Sequence, residues 1–92
     1  MISTRYKINL ACQVLAPLAT VIARTAKDEA TQAWAHDLEL EANSVLFALA
    51  QPKPPSAKMC IHRIKVALSN YPMSHKKQAD QLRALFSALV EE

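Results

Sequence analysis

Thiols, imidazoles, carboxylates and a run of basic groups are the side chains in this 92-residue chain with chemistry to offer. Cys60 and His62 stand two positions apart. On a helix that separation turns them to different faces, so they cannot grip one metal ion. His36 and Asp37 are adjacent and diverge in the same way. No His-x-x-x-His or Cys-x-x-Cys pair occurs, so neither a metal site nor a cofactor is expected. A cysteine nucleophile needs an exposed thiolate beside a base. Cys12 and Cys60 both fall on apolar helical faces and are expected as buried free thiols. A Cys12–Cys60 disulfide would require an oxidising compartment. Asp37, Glu39 and Glu41 are the only candidates for paired catalytic carboxylates, and their spacing suits the wet side of a helix. No catalytic residue and no small-molecule substrate is expected.

Basic groups gather in the second half. Residues 1–46 carry four basic and five acidic side chains, and residues 47–92 carry seven and three, a net −1 against a net +4. The sharpest conflict with helix electrostatics lies near the end. Ser74 is placed to cap a helix whose first turn holds His75, Lys76 and Lys77, where the dipole is already positive. Glu91 and Glu92 close it, where the dipole is negative. Each misplaced exposed charge costs a few tenths to ~1 kcal/mol. A phosphate or a partner carboxylate at the free N–H groups would relieve this. So would solvent, or Asp37, Glu39 and Glu41 of another helix. Lys58, His62 and Lys65, with Arg63 beside them, form a second basic stripe. Two successive helices ending in Ser74–Lys77 invite comparison with a DNA-reading helix-turn-helix, although the usual glycine of the turn is missing. These eight residues are the candidate anion or nucleic-acid contacts.

What must position these groups is helical. The chain has no glycine, which removes the phosphate-cradling loop, the dinucleotide turn and the strained serine elbow. It also disfavours two-residue hairpins. Four amphipathic segments are expected, at about 4–24, 26–50, 57–70 and 75–90. In the first, Ile8, Ala11, Leu15, Leu18 and Ile22 share a face by their spacing, widened by Val14 and Val21. Pro17 deletes the hydrogen bond to the Gln13 carbonyl, so a kink there, or a break into two helices, is expected. Ser3 or Thr4 caps its start. Thr25 and Asp28 read as a capping box for the second helix. Trp34, Leu38, Ala42, Val45 and Leu49 form that helix's main stripe. Ala33, Leu40 and Phe47 form another at heptad spacing, which serves either as core or as a dimer or partner surface.

Residues 51–56 hold three prolines in four positions and read as a semi-rigid linker. Ser56 caps the third helix, buried through Ala57, Cys60, Ile61, Ile64, Leu68 and Tyr71. The fourth is buried through Ala79, Leu82, Phe86 and Leu89. Sixteen alanines favour helix but fill a core poorly. Arg5 and Lys7 before an apolar run imitate a signal peptide weakly, and Leu10-Ala11-Cys12 a lipoprotein site. Asn9, Gln13 and Thr20 interrupt the run, which reads as too short and polar to span a membrane.

The expectation is a single all-α domain over residues 1–92, a compact four-helix bundle in the cytoplasm with no membrane contact. Its function is expected to be non-enzymatic protein binding, as an inhibitor or adaptor of a larger complex. Ala33, Leu40 and Phe47 are the partner-binding residues, and a homodimer is among the partners considered. Nucleic-acid binding by the basic half is the alternative.

Overall fold

The computed structural model describes residues 3–71 and 76–90. These form four helices in a compact globule, α1 (Thr4–Thr25), α2 (Glu29–Leu49), α3 (Ala57–Ser69) and α4 (Lys76–Val90). No strand occurs among the described residues. The Cα radius of gyration is 12.9 Å, near the ~12 Å of a compact chain of this length.

The starts of α1, α2 and α3 each have a short polar cap. The Ser3 hydroxyl accepts from the Tyr6 N–H at 3.2 Å, and the Ser56 hydroxyl from the Met59 N–H at 3.1 Å. At α2 the expected capping box is replaced by a simpler device. Thr25 ends α1, and the Asp28 carboxylate caps α2, accepting from the Thr31 N–H at 2.9 Å and the Thr31 hydroxyl at 2.7 Å. The second helix therefore begins at Glu29 rather than Ala26. A carboxylate satisfies two donors here where the Thr25 hydroxyl would satisfy one, and Thr25 bonds back to the Val21 carbonyl instead.

Helix ends manage without glycine. No described residue has a positive φ. Ala26 closes α1 by donating its N–H to the Ile22 carbonyl at 2.8 Å, then turns extended. At the end of α2, Ala50 and Gln51 donate three residues back, to Phe47 and Ala48, both at 3.2 Å. The Gln51 side chain donates to Phe47 as well. These tightened last turns satisfy carbonyls that a left-handed glycine would otherwise reach.

α1 runs as one helix through Pro17, so the expected alternative of two shorter helices does not form. α1 packs most extensively on α2 and next on α4, while α2 also packs on α3. The connection between α1 and α2 is only Ala26 to Asp28, which makes them antiparallel neighbours. Ile8, Cys12, Leu15, Leu38, Val45, Cys60, Ile64, Leu68 and Phe86 form the inaccessible centre. Trp34 is buried beside it and donates its indole N–H to the Ala67 carbonyl at 3.0 Å, tying α2 to α3. That contact satisfies the polar tip of a ring otherwise enclosed by apolar groups.

Two expectations about α1 are corrected. Leu18, Val14 and Val21 do not belong to the core; all three are exposed. Rotation by 100° per residue places Val14 and Val21 well away from the stripe of Ile8, Cys12, Leu15 and Ala19, whereas Leu18 falls at its margin near buried Ala11 and opens onto the groove beside α4. α1 is also not too short or polar to span a bilayer. By length and composition alone it qualifies, and it is the only described helix that does. Its 22 residues span ~33 Å against a hydrocarbon core of ~30 Å.

Candidate functional site

The large apolar side chains open to solvent lie mostly on α1 and α2, with Met59 and Val66 exposed on α3. On α2, Phe47 is 71% and Leu40 53% exposed, and Ala33 is exposed with them. The second stripe is thus surface and not core. Its position follows from register: Trp34, Leu38, Ala42 and Val45 take the inward face, and residues at heptad spacing from Ala33 fall nearly opposite. On α1, Val21 is 57% and Tyr6 54% exposed, with Leu10, Val14 and Leu18 also open to solvent. The Thr20 hydroxyl donates to the Glu39 carboxylate at 2.6 Å across the edge between the two helices.

The basic candidates are not brought into one site. Lys58, His62 and Lys65 are exposed along α3, and Lys76 and Lys77 are exposed at the start of α4. Arg63 is turned aside: its guanidinium pairs with Glu41 and donates to the Ser44 hydroxyl at 3.0 Å. It clamps α3 to α2 and is committed to that role. Ser74 and His75 lie outside the described residues. Of the α2 carboxylates considered above for the fourth helix's basic end, Glu39 takes Thr20 and Glu41 takes Arg63. On α4 itself, Arg83 reaches Asp80 at 3.5 Å and lies over the Tyr71 ring, 5.5 Å from its centroid.

A groove of about 380 Å³ runs between α2 and α3, lined by Trp34, Asp37, Glu41, His62, Arg63 and Val66 among others. Its strongest donors are spent internally, the indole on Ala67 and the guanidinium on Glu41 and Ser44. Among the described residues no group of three or more His, Cys, Asp or Glu side chains is arranged to hold a metal ion. Both cysteines are free and buried. Burial, with the neighbouring Cys60, pushes the Cys12 thiol up to about 12. Burial also raises Cys60, partly opposed by the charges of Arg63 and Arg5. Neither is a thiolate near neutral pH, so neither is poised as a nucleophile.

Sequence reasoning found the α2 stripe and missed that α1 also carries exposed apolar residues. The signal was present in Leu10, Val14, Pro17 and Val21, spaced four, three and four apart. It was hidden because α1 is apolar on nearly every side. Comparison with protein-family models, curated proteins and solved structures finds no match for this chain.

Proposed function

We propose that this chain is a non-enzymatic helical module that binds another protein chain through the outward face of α2, and so modulates a larger complex as inhibitor or adaptor. The observation that carries this reading is the exposure of Phe47 (71%) and Leu40 (53%) at heptad spacing on one helix. Large apolar side chains of this kind, grouped rather than scattered, are the mark of a docking surface. A kink of α1 at Pro17, which leaves the Gln13 carbonyl without a helical donor, belongs to the same reading because it would shape the neighbouring part of this face. The two buried free thiols suit a reducing compartment, and the cytoplasm is the proposed location.

The test is a photo-crosslinker at position 47 in the native host. Crosslinks should form there, and should be lost when Leu40→Ser is added in a variant that circular dichroism shows to be folded. Crosslinks that persist unchanged would count against the surface. Unfolding of Leu40→Ser in isolation would show that the stripe is structural.

A second reading, nucleic-acid binding, is favoured by the exposed Lys58, His62, Lys65, Lys76 and Lys77 in the half with net charge +4. Gel shifts on duplex DNA, single-stranded DNA and RNA should then weaken steeply with salt. Lys76→Glu with Lys77→Glu should reduce them further. The absence of any shift at low salt would refute it.

A further inference from the structure

We propose that the groove between α2 and α3 is a binding site for an organic cation, an ammonium or guanidinium group carried on a short apolar stem. The site is independent of the outer face of α2 and makes no use of Leu40 or Phe47.

Two internal ties hold the groove in shape. The Trp34 indole bonds to the Ala67 carbonyl, and the Arg63 guanidinium pairs with Glu41 and bonds to Ser44. Moving from Trp34 to Glu41 along α2 means moving back from Ala67 to Arg63 along α3, so these helices run antiparallel. The stretch between the ties spans ~10 Å. Trp34, Asp37 and Glu41 line one wall; His62, Val66 and Asn70, four residues apart, line the other. Ties at both ends fix the separation of the helices, so the site is formed before a ligand arrives, as small-molecule sites usually are. Its volume of about 380 Å³ falls within the ~300–1,000 Å³ of such sites.

The groups already engaged decide what the groove can hold. The indole and guanidinium donors are taken, which leaves an anion little to bind. What remains is an acceptor, Asp37, and a carboxylate only accepts. Among the described acidic residues, Asp37 alone has neither a partner nor a place at a helix end. Asp28 caps α2 and Glu29 lies in its first turn, while Glu39 takes Thr20, Glu41 takes Arg63 and Asp80 takes Arg83. The Asn70 amide oxygen and the His62 imidazole add acceptor atoms. The walls thus set two carboxylates against one guanidinium, in a chain whose formal net charge is +3.

The stem has its own surface. By the level of the two ties, Val66 stands nearly opposite Asp37, and it is 45% exposed. Trp34 and Ala67 line the groove with it. A cation meeting the indole ring gains further attraction from its π-electrons. A free amine or guanidine presents this chemistry, and so does a lysine or arginine side chain of another protein.

Titration of the purified full chain with phenethylamine and with butylguanidine tests the site. Trp34 is the sole tryptophan and lines the groove, so its emission reports binding, and amide NMR shifts locate it. The change should saturate, with its midpoint at or below ~1 mM, and should centre on residues 34–41 and 62–70. Phenethyl alcohol, which keeps the stem and lacks the charge, should bind at least tenfold more weakly. Asp37→Asn should weaken phenethylamine by a similar factor, whereas Asp37→Glu should retain most of the affinity. Asp37 is exposed and unpaired, so both variants should be folded by circular dichroism. A capped tripeptide with one arginine distinguishes the sources. Tighter binding of the peptide assigns the cation to a partner chain, tighter binding of the free compounds assigns it to a small molecule, and either upholds the site. No saturable change up to ~10 mM would overturn it, as would equal binding of the alcohol or undiminished binding to Asp37→Asn. Crosslinking at position 47 is read separately, so failure here leaves the docking surface of α2 standing.

Discussion

Leu38 and Leu40 stand two positions apart on α2 and should respond oppositely to truncation. Leu38 is fully buried, whereas Leu40 is 53% exposed. Leu38→Ala removes a transfer contribution and leaves a cavity, together about 3–5 kcal/mol. A chain of this length has ~5–14 kcal/mol in total, so the loss is a large share of it, and Tm should fall by ~12–30 °C. Leu40→Ala gives up only the half of its side chain that is covered, at most ~1 kcal/mol, and gains slightly in helix propensity. Its Tm in dilute solution should shift by less than ~5 °C. Urea unfolding followed by Trp34 fluorescence reads both, because Trp34 is the sole tryptophan and is buried. Run at rising protein concentration, the measurement gains a second use. If copies associate through this face, wild type gains stability by mass action and Leu40→Ala does not. Equal destabilisation of the two variants in dilute solution would refute the assignment of faces on α2, and with it the docking surface.

Three further outcomes are expected. Asp28→Ala should destabilise by about 1–2 kcal/mol, because the α2 cap is lost, while Thr25→Ala stays within ~0.5 kcal/mol; thermal melts compare them, and the reverse order would restore the capping box. The Cys12 thiol is raised from 9.0 to about 12, so its folded form holds a proton that the unfolded chain releases. That contribution is intact below pH 9 and lost as pH rises from 9 toward 12. Stability measured across this range should fall by up to ~1.4 kcal/mol per pH unit per thiol, and less steeply in Cys12→Ala. Pro17→Ala should raise Tm, because Pro17 is exposed and the Gln13 carbonyl regains a donor; a fall would show that the inner face of α1 depends on the proline's geometry.

How far the sequence carries can be judged residue by residue. Ser3 and Ser56 were legible as caps because each stands directly before an apolar period. The start of α2 was not, because Thr25 and Asp28 satisfy the same local pattern and only the backbone decides which one caps. The buried faces of α2, α3 and α4 follow from spacing, although α2 carries Leu40 and Phe47, and α3 Met59 and Val66, on their exposed sides. α1 defeated that logic at Leu18, where apolar residues surround the helix and neighbours alone choose the inward side. Val90 is buried at the end of α4, a position the stripe of Ala79, Leu82, Phe86 and Leu89 did not include. The Arg63–Glu41 and Trp34–Ala67 contacts join residues far apart in the chain. No local pattern announces them, and the first removes a candidate anion contact from the basic stripe.

The glycine-free backbone has a consequence on the other side of the folding equilibrium. A chain of average composition would contain about six glycines at this length. Replacing each at a compatible site stabilises by ~0.4–1 kcal/mol, because the denatured chain has fewer conformations to surrender. Their absence therefore contributes roughly 3–6 kcal/mol here, comparable with the net stability of many small domains. Five prolines stiffen the denatured ensemble further. The alanine-rich interior is thin, but the disordered chain that competes with it is poor in alternatives. Part of what holds this protein together is accordingly found in no contact of the folded state.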